Sequence, residues 1–381
     1  IGMNPNLKPE KTSSIEAGFE AAFWDNRLYL DFTYYKTDSR NQILKLATTA
    51  ASGYTSQVRN AGHISNRGYE IQLGAVPIQT SKGFRWNLDL NYGANSSKVV
   101  KLDDEGLITS YQLYSSGIQI LASVGEAYGT LFVTSYVRDA NGNVVVDANG
   151  LPKISTTNKT LGKFTPDWTG GISNTFSYRS LSLSFLIDAS VGGSIFSNTN
   201  KTGKYTGVLA NTLSGRDAEH GGLWYYTDAM GNNVRLSESP SYSVSSDGLY
   251  YAQVNGQSTR VYQDGIMVEG VTESGSKNEE VVSAEKYYHR IYSIAEANVY
   301  DASYVKLREV ALSYRLPRLW TQKLHLQEAS VTLTGRNLWT IYKSVPNIDP
   351  ESALTTGNAQ GVEAYSLPTT RSFGVNLSVK F

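Results

Sequence analysis

The side chains able to do acid–base, nucleophilic or metal chemistry are few and poorly spaced for it. His63, His220, His289 and His325 are scattered along the chain, and none stands in an H-E-x-x-H run. No G-x-S-x-G elbow or phosphate-binding glycine loop occurs. Without cysteine there is neither a disulfide framework nor a thiolate metal site. Asp139-Ala140-Asn141-Gly142-Asn143 bears a superficial likeness to a calcium loop, but its glycine stands fourth rather than sixth. Together with Asp147-Ala148-Asn149-Gly150 it is read as turn chemistry closing a hairpin. Neither an enzyme nor a cofactor is expected, and no metal site.

What the chain offers instead is aromatic surface. Trp224-Tyr225-Tyr226, Tyr250-Tyr251 and Tyr287-Tyr288 present flat faces that could stack on sugars or peptide side chains. They could equally form the cores of loops too long to stay open. The structural role is favoured for any single ring, and Trp224, Tyr225 and Tyr226 are the first candidates for substrate contact.

The elements that must position these rings follow a period of two. Phe373, Val375, Leu377, Val379 and Phe381 alternate with Ser372, Gly374, Asn376, Ser378 and Lys380, and the chain stops there with its apolar side uncovered. The same alternation marks 14–24, 28–35, 69–75, 84–95 and 181–191, and more weakly 168–178, 303–316 and 329–340. That gives nine or so strands, most of a length suited to crossing a bilayer. The connections alternate short (25–27, 77–83, 179–180, 317–328) and long (39–66, 98–167, 192–302, 341–370). Short periplasmic turns and long extracellular loops are the pattern of a transmembrane antiparallel β-barrel.

Composition agrees with this reading. The 34 basic and 34 acidic residues cancel, which argues against a nucleic-acid partner. No apolar run is long enough for a transmembrane helix, and 26 tyrosines suit aromatic girdles at the membrane surfaces. On the other face of the strands, Glu16, Glu20, Tyr29, Asp31, Tyr35, Glu70, Arg85 and Asp89 are expected to face the lumen. Trp24, Tyr178, Tyr314 and Trp320 are placed near the periplasmic interface, and Trp339 and Tyr342 near the outer one. One strand resists: Lys306 and Arg308 share parity with Val310, Leu312 and Tyr314. Either its upper half rises above the hydrocarbon or a bulge shifts its register. The first is favoured, because a lipid-facing Arg costs roughly 2–4 kcal/mol at the midplane but little near the interface.

Several runs resemble a known family. Asn4-Pro5-Asn6-Leu7-Lys8-Pro9-Glu10-Lys11-Thr12 is similar to the N-P-x-L-K-P-E run of TonB-dependent transporters. Asp301-Ala302-Ser303-Tyr304-Val305-Lys306-Leu307-Arg308-Glu309, Thr334-Gly335-Arg336-Asn337-Leu338-Trp339 and Asp349-Pro350-Glu351 resemble the SusC/RagA subfamily of Bacteroidetes. The resemblance covers both ends of the chain and only loosely 98–300. It implies a 22-stranded barrel with an N-terminal plug and TonB box, energy from the TonB–ExbB–ExbD complex, and a SusD-like lipoprotein lid. The implied activity is active import of oligosaccharides, or of oligopeptides, across the outer membrane of a Gram-negative bacterium. Passive porins and barrel-anchored adhesins are the alternatives. Plug and TonB box do not occur in this sequence, and an odd strand count does not close a bacterial single-chain barrel. Residues 1–381 are therefore expected to be the C-terminal portion of the barrel, with a break before Ile1.

Overall fold

The computed structural model describes residues 4–47, 53, 54, 56–323 and 325–381. Ile1, on which the expected break turns, lies outside them. The described residues build one nine-stranded antiparallel sheet in simple sequence order. Its strands are β1 (Lys11–Phe23), β2 (Leu28–Arg40), β3 (His63–Gln79), β4 (Phe84–Lys101), β5 (Trp168–Tyr178), β6 (Leu181–Val191), β7 (Tyr304–Arg315), β8 (Glu328–Lys343) and β9 (Ser372–Lys380). Every strand read from the alternation is present. β3 and β4 run further than their alternation, through pairs such as Asn66–Ser97 and Arg67–Ser96. There the ladder continues where nothing imposes one apolar face, so the sequence carries no periodic signal.

Register sorts the side chains into two faces. One polar row runs Glu20, Asp31, Gln72, Asn91, Gly171, Asp188, Lys306 across seven adjacent strands. The neighbouring row on the opposite face runs Ala21, Leu30, Leu73, Leu90, Ile172, Ile187, Leu307, Trp339. Ring pairs such as Tyr69–Tyr92 (6.0 Å) and Trp86–Phe176 (5.6 Å) continue the apolar face. It is uncovered: Ile15 is 74% exposed and Phe373 79%. A sheet in water hides such a face under a second layer, whereas lipid covers it in a membrane wall.

The resistant strand is resolved by a bulge, which corrects the favoured expectation of an upper half lifted clear of the membrane. Leu307 pairs with Ile187 and Glu309 with Leu186, leaving Arg308 as the extra residue. Above the bulge Tyr304 and Lys306 face the polar side, and below it Glu309, Ala311 and Ser313 do. Val305, Leu307, Val310, Leu312 and Tyr314 thus share the apolar face without a charge among them. The register slip costs one unpaired residue and spares two lipid-facing cations. β8 answers with its own irregularity at Asn337, which takes φ 52°.

The long connections fold into a layer of their own. Residues 110–163 give a four-stranded sheet, and 223–283 contribute a six-stranded one. Helix α1 (Asn198–Thr206) and helix α2 (Ala284–Tyr292) pack beside them. Ile120, Leu131, Val133, Phe196 and Val362 form one core from three different loops. Ser197 caps α1, and the fully buried Glu363 carboxylate accepts hydrogen bonds from Ser197 Oγ and Thr199 Oγ1, each at 2.6 Å. The last long loop thereby caps a helix of the preceding one, where negative charge meets the positive end of the helix. Glu363→Ala is expected to cost about 1–3 kcal/mol and to raise amide exchange in α1 before any change in the wall. Unaltered exchange there would remove this coupling. At the opposite end the connections are short, and the fourth carries helix α3 (Arg318–Lys323) with Leu319 and Trp320 exposed.

Candidate functional site: a polar groove and its charged rim

Small and polar residues hollow the polar face into a groove of about 590 Å3. Asp31 comes from β2, Glu70 and Gln72 from β3, Asn91 from β4, Thr169 and Gly171 from β5, Asp188 from β6 and Tyr304 from β7. Gly171 keeps the floor open, because a Cβ there would stand 2.8 Å from Asn91 Oδ1. Register places all of Glu16, Glu20, Tyr29, Asp31, Tyr35, Glu70, Arg85 and Asp89 on this face. It brings Asp31 and Glu70 into the groove itself. Glu20 sits beside Asp31, Glu16 beside Tyr35, and Tyr29 donates to Asp31 Oδ2 at 3.4 Å. Arg85 lies towards the short-turn end, donating to Asn87 Oδ1 at 2.8 Å.

The upper rim carries what sequence reasoning missed. Lys306, only 3% exposed along its side chain, donates to Asp349 Oδ1 and Glu351 Oε2, both at 2.6 Å. Arg308 grips Asp188 Oδ2 at 2.6 Å and Glu351 Oε1 at 2.8 Å, and Tyr304 OH donates to the same Glu351 oxygen at 2.8 Å. Burial would raise the carboxyl pKa of Asp349, but the Lys306 ammonium and the Thr369 hydroxyl outweigh it and hold it at about 2. Glu351 is likewise held at about 2, its burial outweighed by Arg308, Lys306 and Tyr304. Two runs singled out separately in the sequence, Tyr304–Glu309 and Asp349-Pro350-Glu351, are therefore the halves of one ion cluster. Two cations in one parity with Val310, Leu312 and Tyr314, where a lipid-facing charge is costly, were the available signal.

The aromatic candidates are placed elsewhere. Trp224 and Tyr225 are 7% and 4% exposed, within a strand of the long-loop layer. Trp224 stacks on Tyr242 at 5.1 Å and meets the edge of Tyr250 at 5.8 Å. Tyr225 stacks on Tyr262 at 5.1 Å and donates to Asp264 Oδ1 at 3.1 Å. Tyr226 packs half-buried against the same core. The rings of Trp224 and Tyr225 are thus packed against other rings of the protein. The calcium-like run is a turn: Asp139 Oδ1 accepts from Asn141 N at 2.9 Å and Asn143 N at 2.8 Å, with Gly142 at φ 87°. The histidines stay apart, His63 on Asp38 at 2.9 Å and His289 stacked on Tyr205 at 4.2 Å.

Comparison with known proteins agrees with this geometry. The family described as TonB dependent receptor-like, beta-barrel matches residues 1–338. The chain belongs to the TonB-dependent receptor β-barrel family. TonB-dependent receptor P3 of Formosa agariphila is 26% identical over 99% of the chain and 35% of its own length. TonB-dependent receptor SusC of Bacteroides thetaiotaomicron is 24% identical over 99% of the chain and 32% of its own length. The structure of the RagAB peptide transporter superposes with a TM-score of 0.63 at 21% identity, over 99% of the chain and 36% of that chain. The barrel sheet is thus of the SusC/RagA kind, and the chain spans about a third of the length of these relatives. Receptors of this family are outer-membrane transporters, not enzymes, and the long loops of such a barrel are its extracellular side.

Proposed function

We propose that residues 1–381 are the C-terminal part of the barrel of a SusC/RagA-type importer in the outer membrane of a Gram-negative bacterium. In this reading the polar face lines the lumen and the apolar face meets the lipid bilayer. An N-terminal part of the receptor supplies the remaining strands and the plug, through which the TonB–ExbB–ExbD complex delivers energy. A SusD-like lipoprotein covers the extracellular layer. The cargo is an oligosaccharide, with oligopeptides, the cargo of RagAB, as the rival. The observation that carries the reading is the opposition of an uncovered apolar face and a grooved polar face in a sheet of this family.

Cells carrying the full-length receptor are expected to take up labelled oligosaccharide, to lose uptake when tonB is deleted, and to be inhibited more by unlabelled glycan than by peptide. Uptake indifferent to TonB would make the protein a passive porin, and surface binding without uptake a barrel-anchored adhesin. Stronger competition by peptide would transfer the cargo to the rival class.

A further inference from the structure

The extracellular layer holds a second cavity, of about 640 Å3, that shares no lining residue with the groove. Tyr287, Tyr288 and Ile291 of α2 form one wall, and Leu223, Ile266 and Met267 of the six-stranded sheet another. Tyr136 lines it from the neighbouring loop. Tyr288 spends its hydroxyl on the carbonyls of Asn211 (3.2 Å) and Ser214 (3.1 Å). The hydroxyls of Tyr136 and Tyr287 make no hydrogen bond with any described residue, although both rings are half-buried. Neither oxygen is sealed from solvent, so each is open to a ligand, and burial of the rings pushes both hydroxyls up, so they stay neutral.

We propose that this cavity is a saccharide-binding site that takes a short, uncharged oligosaccharide. Sugar rings offer apolar C–H faces to the aromatic and aliphatic walls and hydroxyls to the two unspent phenols. Among the described residues an anionic ligand finds no free cation there. Lys204 at the cavity edge already donates to Ala297 O (2.8 Å), Asn298 Oδ1 (3.0 Å) and Tyr300 OH (3.0 Å), and Glu269 adds a carboxylate. A purely aliphatic peptide side chain would leave both phenols unsatisfied.

The test uses the full-length receptor in detergent and calorimetric titration with maltohexaose, cellohexaose, xylohexaose and mannohexaose. At least one of these is expected to bind, and the Tyr136→Phe/Tyr287→Phe pair, which keeps both rings, to weaken it roughly tenfold or more. Glu105→Gln, at an exposed loop residue that lines neither cavity, should leave that binding unchanged. Binding of none of the four at about 1 mM, equal binding by the Phe pair, or displacement of the sugar by a neutral tripeptide would each overturn the proposal. None of these outcomes touches TonB-dependent uptake, which tests the import reading separately.

Discussion

Lys306→Met is expected to release the last extracellular loop from the barrel wall at a cost of about 3–5 kcal/mol. The ammonium lies between Asp349 and Glu351, and both carboxylates are drawn from water by the loop that packs over it. Removing the cation leaves Asp349, with an 8% exposed side chain, as a buried charge whose remaining partners are neutral groups such as Thr369. Glu351 keeps Arg308. Amide exchange over 349–363 should accelerate by roughly two to three decades, with β2 to β5 unaffected. Pairing the change with Asp349→Leu should recover much of the loss, since an apolar replacement of a buried ion pair is often near neutral. If exchange in the single variant matched wild type, the cluster would not be what holds the loop. The same cluster sets an acid limit. Asp349 and Glu351 have folded pKa values near 2, below those of the unfolded chain. Their contribution is therefore complete above about pH 4.5 and fades as pH falls from there towards 2. Loop protection should follow that window in wild type.

The second large effect belongs to Trp224→Ala, expected to destabilise the six-stranded extracellular sheet by about 3–5 kcal/mol. The indole fills a core with Ala252 and Val261 and contacts Tyr242 and Tyr250. Its loss leaves a cavity that Tyr242 and Tyr250, on two different strands, cannot close together. Limited proteolysis should cut within 223–283 while the nine-stranded wall stays resistant, and Trp224→Phe should be milder. A loss of substrate binding with unchanged proteolysis would instead return Trp224 to the ligand-contact role its sequence suggested.

The turns and the strands were legible for a local reason. Asp139, Asn141 and Gly142 supply a cap and a left-handed residue within five positions, so turn chemistry could be told from a metal loop. The strand Leu181–Val191 announced itself because lipid on one side and polar surroundings on the other impose a strict alternation. The upper half of β7 could not be read this way. Its bulge moves Arg308 by a single residue, and the reward for doing so lies 43 residues away in Glu351 and 120 away in Asp188. The short strands of the extracellular layer, such as Tyr242–Val244, are too brief to show a period and exist only through their partners. Trp224 was legible as an aromatic with the structural role favoured, but not which residues pack on it, because that depends on strands that meet it from elsewhere.

The sequence by itself determined the number and order of the wall strands among the described residues, which of their faces is apolar, and the family. All of these follow from residue alternation and local runs, which need no long-range contact to be visible. Only the tertiary structure decided that Lys306 and Arg308 face the polar side, that they bolt the last loop to the wall, and that two phenols in the extracellular layer bond to no described residue. Each of these is set by charge pairing or burial between segments far apart in the chain, and such pairings leave no periodic trace in either segment alone.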